Sequence, residues 1–340
     1  GKPGVDPKDP HAEEDTKLLV HRLGTPMAAD IDVMSTASTS GIGLTPAELP
    51  IGFVPEFDTA HVYALAANVQ SELKLFVAPA SAVASGVIPW RPVIATSDGL
   101  VRNFAVHDGW IYAATYRDAP HYKLVRTRLD APDWAHAETV LPEAADSIVT
   151  FAQSRGHLLI EYSNGVQERL VNLDLASGKS GELQVAVKGT LEPSCPDSRS
   201  DRCLVAATGW VQPRSLYDAD LESGAVTRSP LSSDVRYPEF EDVVADEVEV
   251  PGQDGVMIPL SIIHRKDMRL DGSSPCILEG YGAYGISYNP AFSVRHSVVH
   301  HGVVFAYAHV RGGSEKGEAW YRAGYKSTKP NTWKDFNSAG

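Results

Sequence analysis

Between residues 50 and 235 the apolar residues fall in short runs broken by polar turn formers, and helical periodicity is nearly absent. Four runs stand out: VYALAA from Val62, IYAATY from Ile111, LLIEYS from Leu158 and LVAATG from Leu204, with steps of 49, 47 and 46 residues. Each precedes a second run, centred on Leu75, Leu124, Leu170 and Leu216, with steps of 49, 46 and 46. Turn signals such as TSDG, HDG, SNG, LASGK and LESG lie between them. Two ladders sharing a period near 45, with several short strands per repeat, predict β-propeller blades. Each blade is a small twisted sheet that buries its apolar faces only by stacking on its neighbours. About four blades are predicted from 50 to 235. The segment TKLLVHRLGT, residues 16–25, predicts the last strands of an earlier, incomplete blade. An open row of four or five blades would leave two apolar sheet faces uncovered, so further blades are expected in the natural protein.

The texture changes after about residue 236. VADEVEVPGQDGVMIPLSIIHRK predicts two strands joined by a glycine-containing turn. SSPCILEGYG predicts a buried strand that runs into a glycine cluster, and HHGVVFAYAHVRGG another apolar strand with a Gly-Gly stop. NPAFSVRHSVV predicts a short helix. NTWKDFNSAG predicts the start of a helix, capped by Asn331 or Thr332, with Asp335 in its first turn. Buried strands alternating with helical segments indicate an α/β sheet. The expected organisation is mixed: an incomplete propeller over 1–235, then the first part of an α/β-hydrolase domain over 236–340.

Composition narrows the functions. The 340 residues carry a net charge of −13, which excludes nucleic acid as a main partner because phosphate binding needs basic stripes. No run of eighteen apolar residues exists, so no membrane span is expected, and the polar N-terminus has no signal-peptide apolar region. Cys195, Cys203 and Cys276 form no CxxC motif. Cys195 and Cys203 flank the polar loop PDSRSDR and are compatible with a disulfide or with two free thiols. Compartment and oligomeric state leave no signal in the composition.

An α/β-hydrolase sheet carries its nucleophile on a Gly-x-Ser-x-Gly elbow. RGGSEKG sets Ser314 after two glycines, but Lys316 occupies the second glycine position; SGKSGE around Ser180 has the wrong spacing and lies in a blade turn. The 340 residues contain no complete elbow. Arg311 beside its glycine turn reads as structural, holding backbone carbonyls or a carboxylate, and Ser314 as turn chemistry. His296, His300 and His301 show i, i+4 spacing without an acidic or cysteine partner nearby, so no metal is expected. The acidic stretch EFEDVVADEVE reads as a solvated interdomain linker.

The stretches GYGAYGIS, HVRGGSEKGEAWYRAG and KPNTWKDF, preceded by HRKDMRLDGSSP, resemble the prolyl oligopeptidase family of serine peptidases. The resemblance is specific from about 240 to 340 and looser, blade by blade, from 16 to 235. It implies a seven-bladed propeller covering an α/β-hydrolase domain, with short peptides as substrates, an acyl-enzyme intermediate and no metal or organic cofactor. The propeller would admit peptides to a narrow cavity and exclude folded proteins. The family's order of elements implies that the nucleophile elbow follows soon after Gly340, with the acid and the histidine beyond it. The chain alone is therefore expected to be inactive. A half sheet is further expected to be marginally stable and to associate through its uncovered edge.

The resemblance also implies roles for two tyrosines. Serine attack on a peptide carbonyl creates an oxyanion, and a donor aimed at it stabilises the transition state by on the order of 3–4 kcal/mol. In the family the tyrosine of the GYG motif supplies that donor; the position is Tyr281. Flanking glycines let the backbone turn sharply and let substrate approach. Tyr284 stands where prolyl-specific members usually carry Phe, in the wall of the pocket for the residue before the scissile bond. A flat aromatic wall suits proline, whereas tyrosine there and HVRGG resemble oligopeptidase B, which cuts after Arg or Lys; GEAW resembles the prolyl enzymes. A reading from another class is a non-catalytic propeller binding module with the α/β segment as a scaffold remnant.

Overall fold

The computed structural model describes residues 6, 8, 9, 11–39, 41–269 and 271–340. Strand β1 (Leu18–Val20) lies in the segment 16–25 expected to hold the remnant of an earlier blade, and pairs antiparallel with β2 (Ile31–Met34), which lies beyond that segment. Four four-stranded sheets follow among the described residues. The first contains β3 (Leu49–Phe53), β4 (His61–Ala67), β5 (Leu75–Pro79) and β6 (Arg91–Ile94). The second contains β7 (Leu100–His107), β8 (Trp110–Thr115), β9 (Lys123–Arg128) and β10 (Glu138–Leu141). The third contains β11 (Ser147–Gln153), β12 (His157–Ser163), β13 (Glu168–Asp174) and β14 (Ser180–Leu183). The fourth contains β15 (Thr190–Ser194), β16 (Arg202–Thr208), β17 (Ser215–Asp220) and β18 (Ala225–Arg228). In every sheet each strand lies beside the next in sequence, the meander a blade requires.

The two apolar ladders of the sequence are the central strands of these sheets. Val62, Ile111, Leu158 and Leu204 lie in the second strands, and Leu75, Leu124, Leu170 and Leu216 in the third. Strand β12 is buried along its whole length. Outer strands β14 and β18 are mostly exposed, and β3 and β6 carry Pro50 and Pro92, which belong at sheet edges. Neighbouring blades share a core. Tyr63, Val77 and Val93 pack with Phe104, Ile111 and Val125, and Leu159 and Leu170 with Leu191, Val205 and Tyr217. Cys195 and Cys203 are joined by a disulfide that closes the loop between β15 and β16, and Cys276 is an exposed free thiol.

The residues form two compact units: 1–115 with 125–139, and 116–124 with 140–340. The second unit includes the third and fourth blades and the α/β segment. That segment has a fifth sheet of β19 (Val243–Pro251), β20 (Met257–Arg265), β21 (Cys276–Gly280) and β22 (Val304–Ala308), in the order β19-β20-β22-β21. β21 and β22 run parallel; the other pairings are antiparallel. A 3-10 helix at Val294–His301 and two α-helices, α1 (Gly317–Arg322) and α2 (Pro330–Ala339), complete it.

Several expectations change here. β21 is an edge strand with Cys276 and Ile277 exposed, not a buried one. The helix expected in NPAFSVRHSVV is a 3-10 helix that starts at Val294. Helix α2 begins at Pro330 after Lys329, so neither Asn331 nor Thr332 caps it. Most of the acidic stretch taken for a solvated linker is strand β19. Its Glu247 accepts hydrogen bonds from Trp210 Nε1 (3.1 Å) and Ser261 Oγ (2.5 Å), and burial pushes its carboxyl pKa up. Trp210 from the fourth blade in turn stacks on Tyr307 of β22, centroids 4.3 Å apart. Thr190 Oγ1 donates to Pro290 O at 2.7 Å, so the blade and the α/β segment are joined by both apolar and polar contacts.

Candidate functional site

The site begins where β21 stops. Gly280 is the last residue paired with β22, opposite Ala308. A Cβ at Gly280 would sit 2.8 Å from the Phe336 ring, so only glycine lets α2 approach this strand end. Gly282 has φ of +65°, and a Cβ there would meet Val310 Cγ2 at 2.6 Å and Arg311 O at 2.7 Å. The chain then reverses: Tyr284 (φ +56°) and Gly285 (φ +67°) are both left-handed, and Ile286 N donates to Ala283 O at 2.9 Å. Two consecutive positive φ values are what a type I′ turn demands. Gly285 N also donates to Gly312 O at 3.1 Å, which ties the turn to the Gly-Gly loop after β22.

A buried ion pair braces that loop. Arg311 Nε and Nη2 donate to Asp335 Oδ2 (2.8 Å) and Oδ1 (2.5 Å), and the Arg311 peptide N–H donates to Asp335 Oδ2 at 3.0 Å. Arg311 Nη1 reaches Asp254 Oδ2 at 2.6 Å. Asp335 is fully buried and Arg311 nearly so. Hydrogen bonding to Asp335 raises the Arg311 guanidinium pKa, and the bidentate geometry satisfies groups that burial would otherwise orphan. Helix α2 and the residue before it contribute two more clamps: Thr332 Oγ1 donates to Arg311 O at 2.6 Å, and Lys329 Nζ donates to Gly282 O.

Tyr281 and Tyr284 stand on this braced turn. Tyr281 is 46% exposed and Tyr284 66% exposed. Among the described residues the Tyr281 hydroxyl has no hydrogen-bond partner, so a proton-bearing oxygen on a rigid backbone is left open to a ligand. Two consequences follow from the chemistry of a phenol: it donates to an anion without first having to lose or gain charge, and it presents an apolar ring to whatever the anion is attached to.

The other sequence candidates take structural positions. Arg311 holds a carboxylate, as read from its glycine turn. Ser314 lies against Ser287, with Ser314 N donating to Ser287 Oγ at 3.2 Å, which is turn chemistry. His296 engages Trp210 O (2.9 Å) and Tyr307 Oη (3.0 Å), and His300 engages Glu239 O (2.7 Å). Among the described residues no three His, Cys, Asp or Glu side chains are grouped as a metal would need. Glu315 is buried, its Oε2 has no hydrogen-bond partner, and burial pushes its pKa up to about 8. His309 is buried with its ring Nε2 2.8 Å from Ser261 Oγ, and burial pulls its pKa down to about 4.

Sequence reading did not assign Asp254, Lys329, Thr332 and Asp335 to the site. The motif KPNTWKDF supplies three of them; it carried part of the family resemblance and helix-start chemistry, but no sign of which carbonyl or cation its side chains would hold.

Comparison with known proteins places the chain in a family. Residues 5–230 match the prolyl oligopeptidase N-terminal beta-propeller domain, and residues 290–339 match the prolyl oligopeptidase family. The chain is similar to dipeptidyl aminopeptidase BI of Pseudoxanthomonas mexicana, 28% identical over 97% of this chain and 44% of the relative. It is also similar to the prolyl endopeptidase of Elizabethkingia meningoseptica, 26% identical over 95% of this chain and 44% of the relative. It thus spans less than half the length of these relatives. Among solved structures, a prolyl endopeptidase superposes with a TM-score of 0.83 at 23% identity, covering 98% of this chain and 48% of that one. Oligopeptidase B of Trypanosoma brucei superposes with a TM-score of 0.78, covering 96% and 46%. A model of the N-terminal propeller covers two thirds of the sequence and a second model covers part of the α/β segment: the chain belongs to the prolyl oligopeptidase family.

Proposed function

We propose that this chain contributes the oxyanion donor and part of the substrate-facing wall of a serine-type oligopeptidase that hydrolyses short peptides, preferentially after proline, through an acyl-enzyme. The boundary between the two parts is placed at 235/236, within the connector from β18 to β19. The observation that carries the reading is Tyr281, nearly half exposed and with its hydroxyl unpartnered among the described residues, on a turn clamped by Arg311, Asp335 and Lys329. When serine attacks the scissile carbonyl, charge collects on the carbonyl oxygen. A phenol already aimed there stabilises that charge without reorganising. Tyr284, on the same turn, supplies aromatic surface for the residue before the scissile bond. The dry, braced loop behind both side chains keeps their separation fixed.

These 340 residues contain no Gly-x-Ser-x-Gly elbow, and the family resemblance implies that the acid and the catalytic histidine follow that elbow in sequence. The isolated chain is predicted to release no chromophore from proline-blocked or arginine-blocked chromogenic peptides. Turnover abolished by a serine-directed inhibitor would contradict this. In the active peptidase that contains the chain, Tyr281→Phe is predicted to lower kcat by about 10²-fold with KM nearly unchanged. An unchanged kcat would remove Tyr281 from the chemistry.

A second reading, cleavage after Arg or Lys, is favoured by Tyr284 in place of Phe and by the likeness to oligopeptidase B. The ratio of kcat/KM for paired proline and arginine substrates separates the two.

A further inference from the structure

The fourth blade, the connector that leaves it and the α/β segment border a cleft of about 870 Å³. Arg214 reaches it from the loop between β16 and β17, Arg228 from the end of β18, Arg236 and Tyr237 from the connector, and Phe292 from the segment before the 3-10 helix. In a chain of net charge −13, the cleft gathers three guanidinium groups against two carboxylates, those of Glu192 and Asp234.

Two of the three guanidiniums are engaged. Arg214 Nη2 pairs with Glu192 Oε2 at 2.7 Å. Arg228 Nη1 pairs with Asp234 Oδ1 at 2.8 Å, and its Nη2 donates to Ser233 O at 2.7 Å. Arg236 is exposed and has no hydrogen-bond or ion-pair partner among the described residues. Beside it, the Tyr237 and Phe292 rings pack with centroids 4.7 Å apart and form an apolar wall. A free planar fork next to an aromatic wall, in a cleft of ligand size, suits a carboxylate whose neighbouring group is apolar.

We propose that this cleft binds the C-terminal carboxylate of a short apolar peptide, the carboxylate on Arg236 and the last side chain on Tyr237 and Phe292. The site is separate from the reading of Tyr281 and stands whether or not that reading holds. Binding needs only one guanidinium that already lacks a partner, so no ion pair must break.

The test is titration of the 340-residue chain with N-acetyl-Ala-Phe as the free acid, with its C-terminal amide and with inorganic phosphate, followed by calorimetry. The acid is expected to bind, the amide at least tenfold more weakly, and phosphate more weakly than the acid. Arg236→Ala is expected to lose at least tenfold for the acid while melting at the wild-type temperature, because Arg236 is exposed and makes no hydrogen bond or ion pair among the described residues. Arg236→Lys, which keeps the charge and loses the fork, is expected to fall between the two. Raised salt should weaken the acid and phosphate and leave the amide unchanged. Equal affinity for acid and amide, phosphate binding as tightly as the acid, wild-type affinity in Arg236→Ala or Arg236→Lys, or no binding of the acid would each overturn the assignment.

Discussion

Glu315 is held beyond the reach of solvent, with one carboxyl oxygen lacking any hydrogen bond, and burial raises its pKa to about 8. The folded chain therefore holds this proton more tightly than the unfolded chain does. Stability is fully present below the unfolded value near 4.5 and is lost as pH rises through about 8. Glu168, in the third blade, acts in the same direction, with burial raising its pKa to about 7. His309 acts in the opposite direction: burial lowers its pKa to about 4, so its neutral form adds stability as pH rises from about 4 to 6.5 and no further above that. Between pH 6.5 and 9 these two carboxyls oppose the fold without compensation from His309. Melting temperature is predicted to fall from pH 6.5 to about 8 and to level off above it, and Glu315→Gln to flatten the fall, with the variant more stable at pH 9 by on the order of 1–3 kcal/mol. Parallel melting curves for the two proteins from pH 6 to 9 would show that Glu315 does not titrate in the fold.

At the scale of elements, the turn that carries the tyrosines is only as fixed as the loop beneath it. Gly312 has φ of +102°, and a Cβ there would lie 2.1 Å from Gly282 O. Gly312→Ala is predicted to destabilise by several kcal/mol, on the order of a buried clash plus backbone strain, and to shift the amide resonances of residues 281–286. A wild-type denaturation midpoint in that variant would mean the two loops are not in contact. Central strands were legible in the sequence because burial on both faces makes them continuously apolar, so Val62, Ile111, Leu158 and Leu204 repeat as a set. The first and fourth strands of each blade were not, since an edge strand such as β18 needs few apolar residues. Tyr281 and Tyr284 stood out through the glycines around them. Their brace did not, because Asp254, Arg311 and Asp335 meet only after the chain has folded, and Asp335 alone reads as ordinary first-turn helix chemistry. The same blindness made Glu247 look like linker charge, when its partners Trp210 and Ser261 come from different elements.

At the scale of the whole molecule, the described residues form four blade sheets and a fifth sheet whose parallel pair ends at an edge. β21 presents that edge with Cys276 and Ile277 exposed. An unpaired, partly apolar strand edge is a template for pairing with another chain. Sedimentation is predicted to show concentration-dependent association in reducing buffer, so that Cys276 disulfides play no part. A single monomer species at all concentrations would contradict it. The likeness to prolyl endopeptidase and oligopeptidase B structures extends over nearly the whole chain but under half of theirs. The central claim is accordingly about what this portion adds to a catalytic reaction: a phenol aimed at charge that exists only in the transition state. The most direct measurement is the affinity of the active peptidase containing this chain for a peptidyl-proline aldehyde, which forms a tetrahedral adduct, set against the matching peptide alcohol, which does not. Tyr281→Phe is predicted to weaken the aldehyde by about 10²-fold and to leave the alcohol within about twofold. Equal losses for both ligands, or none for the aldehyde, would contradict the account.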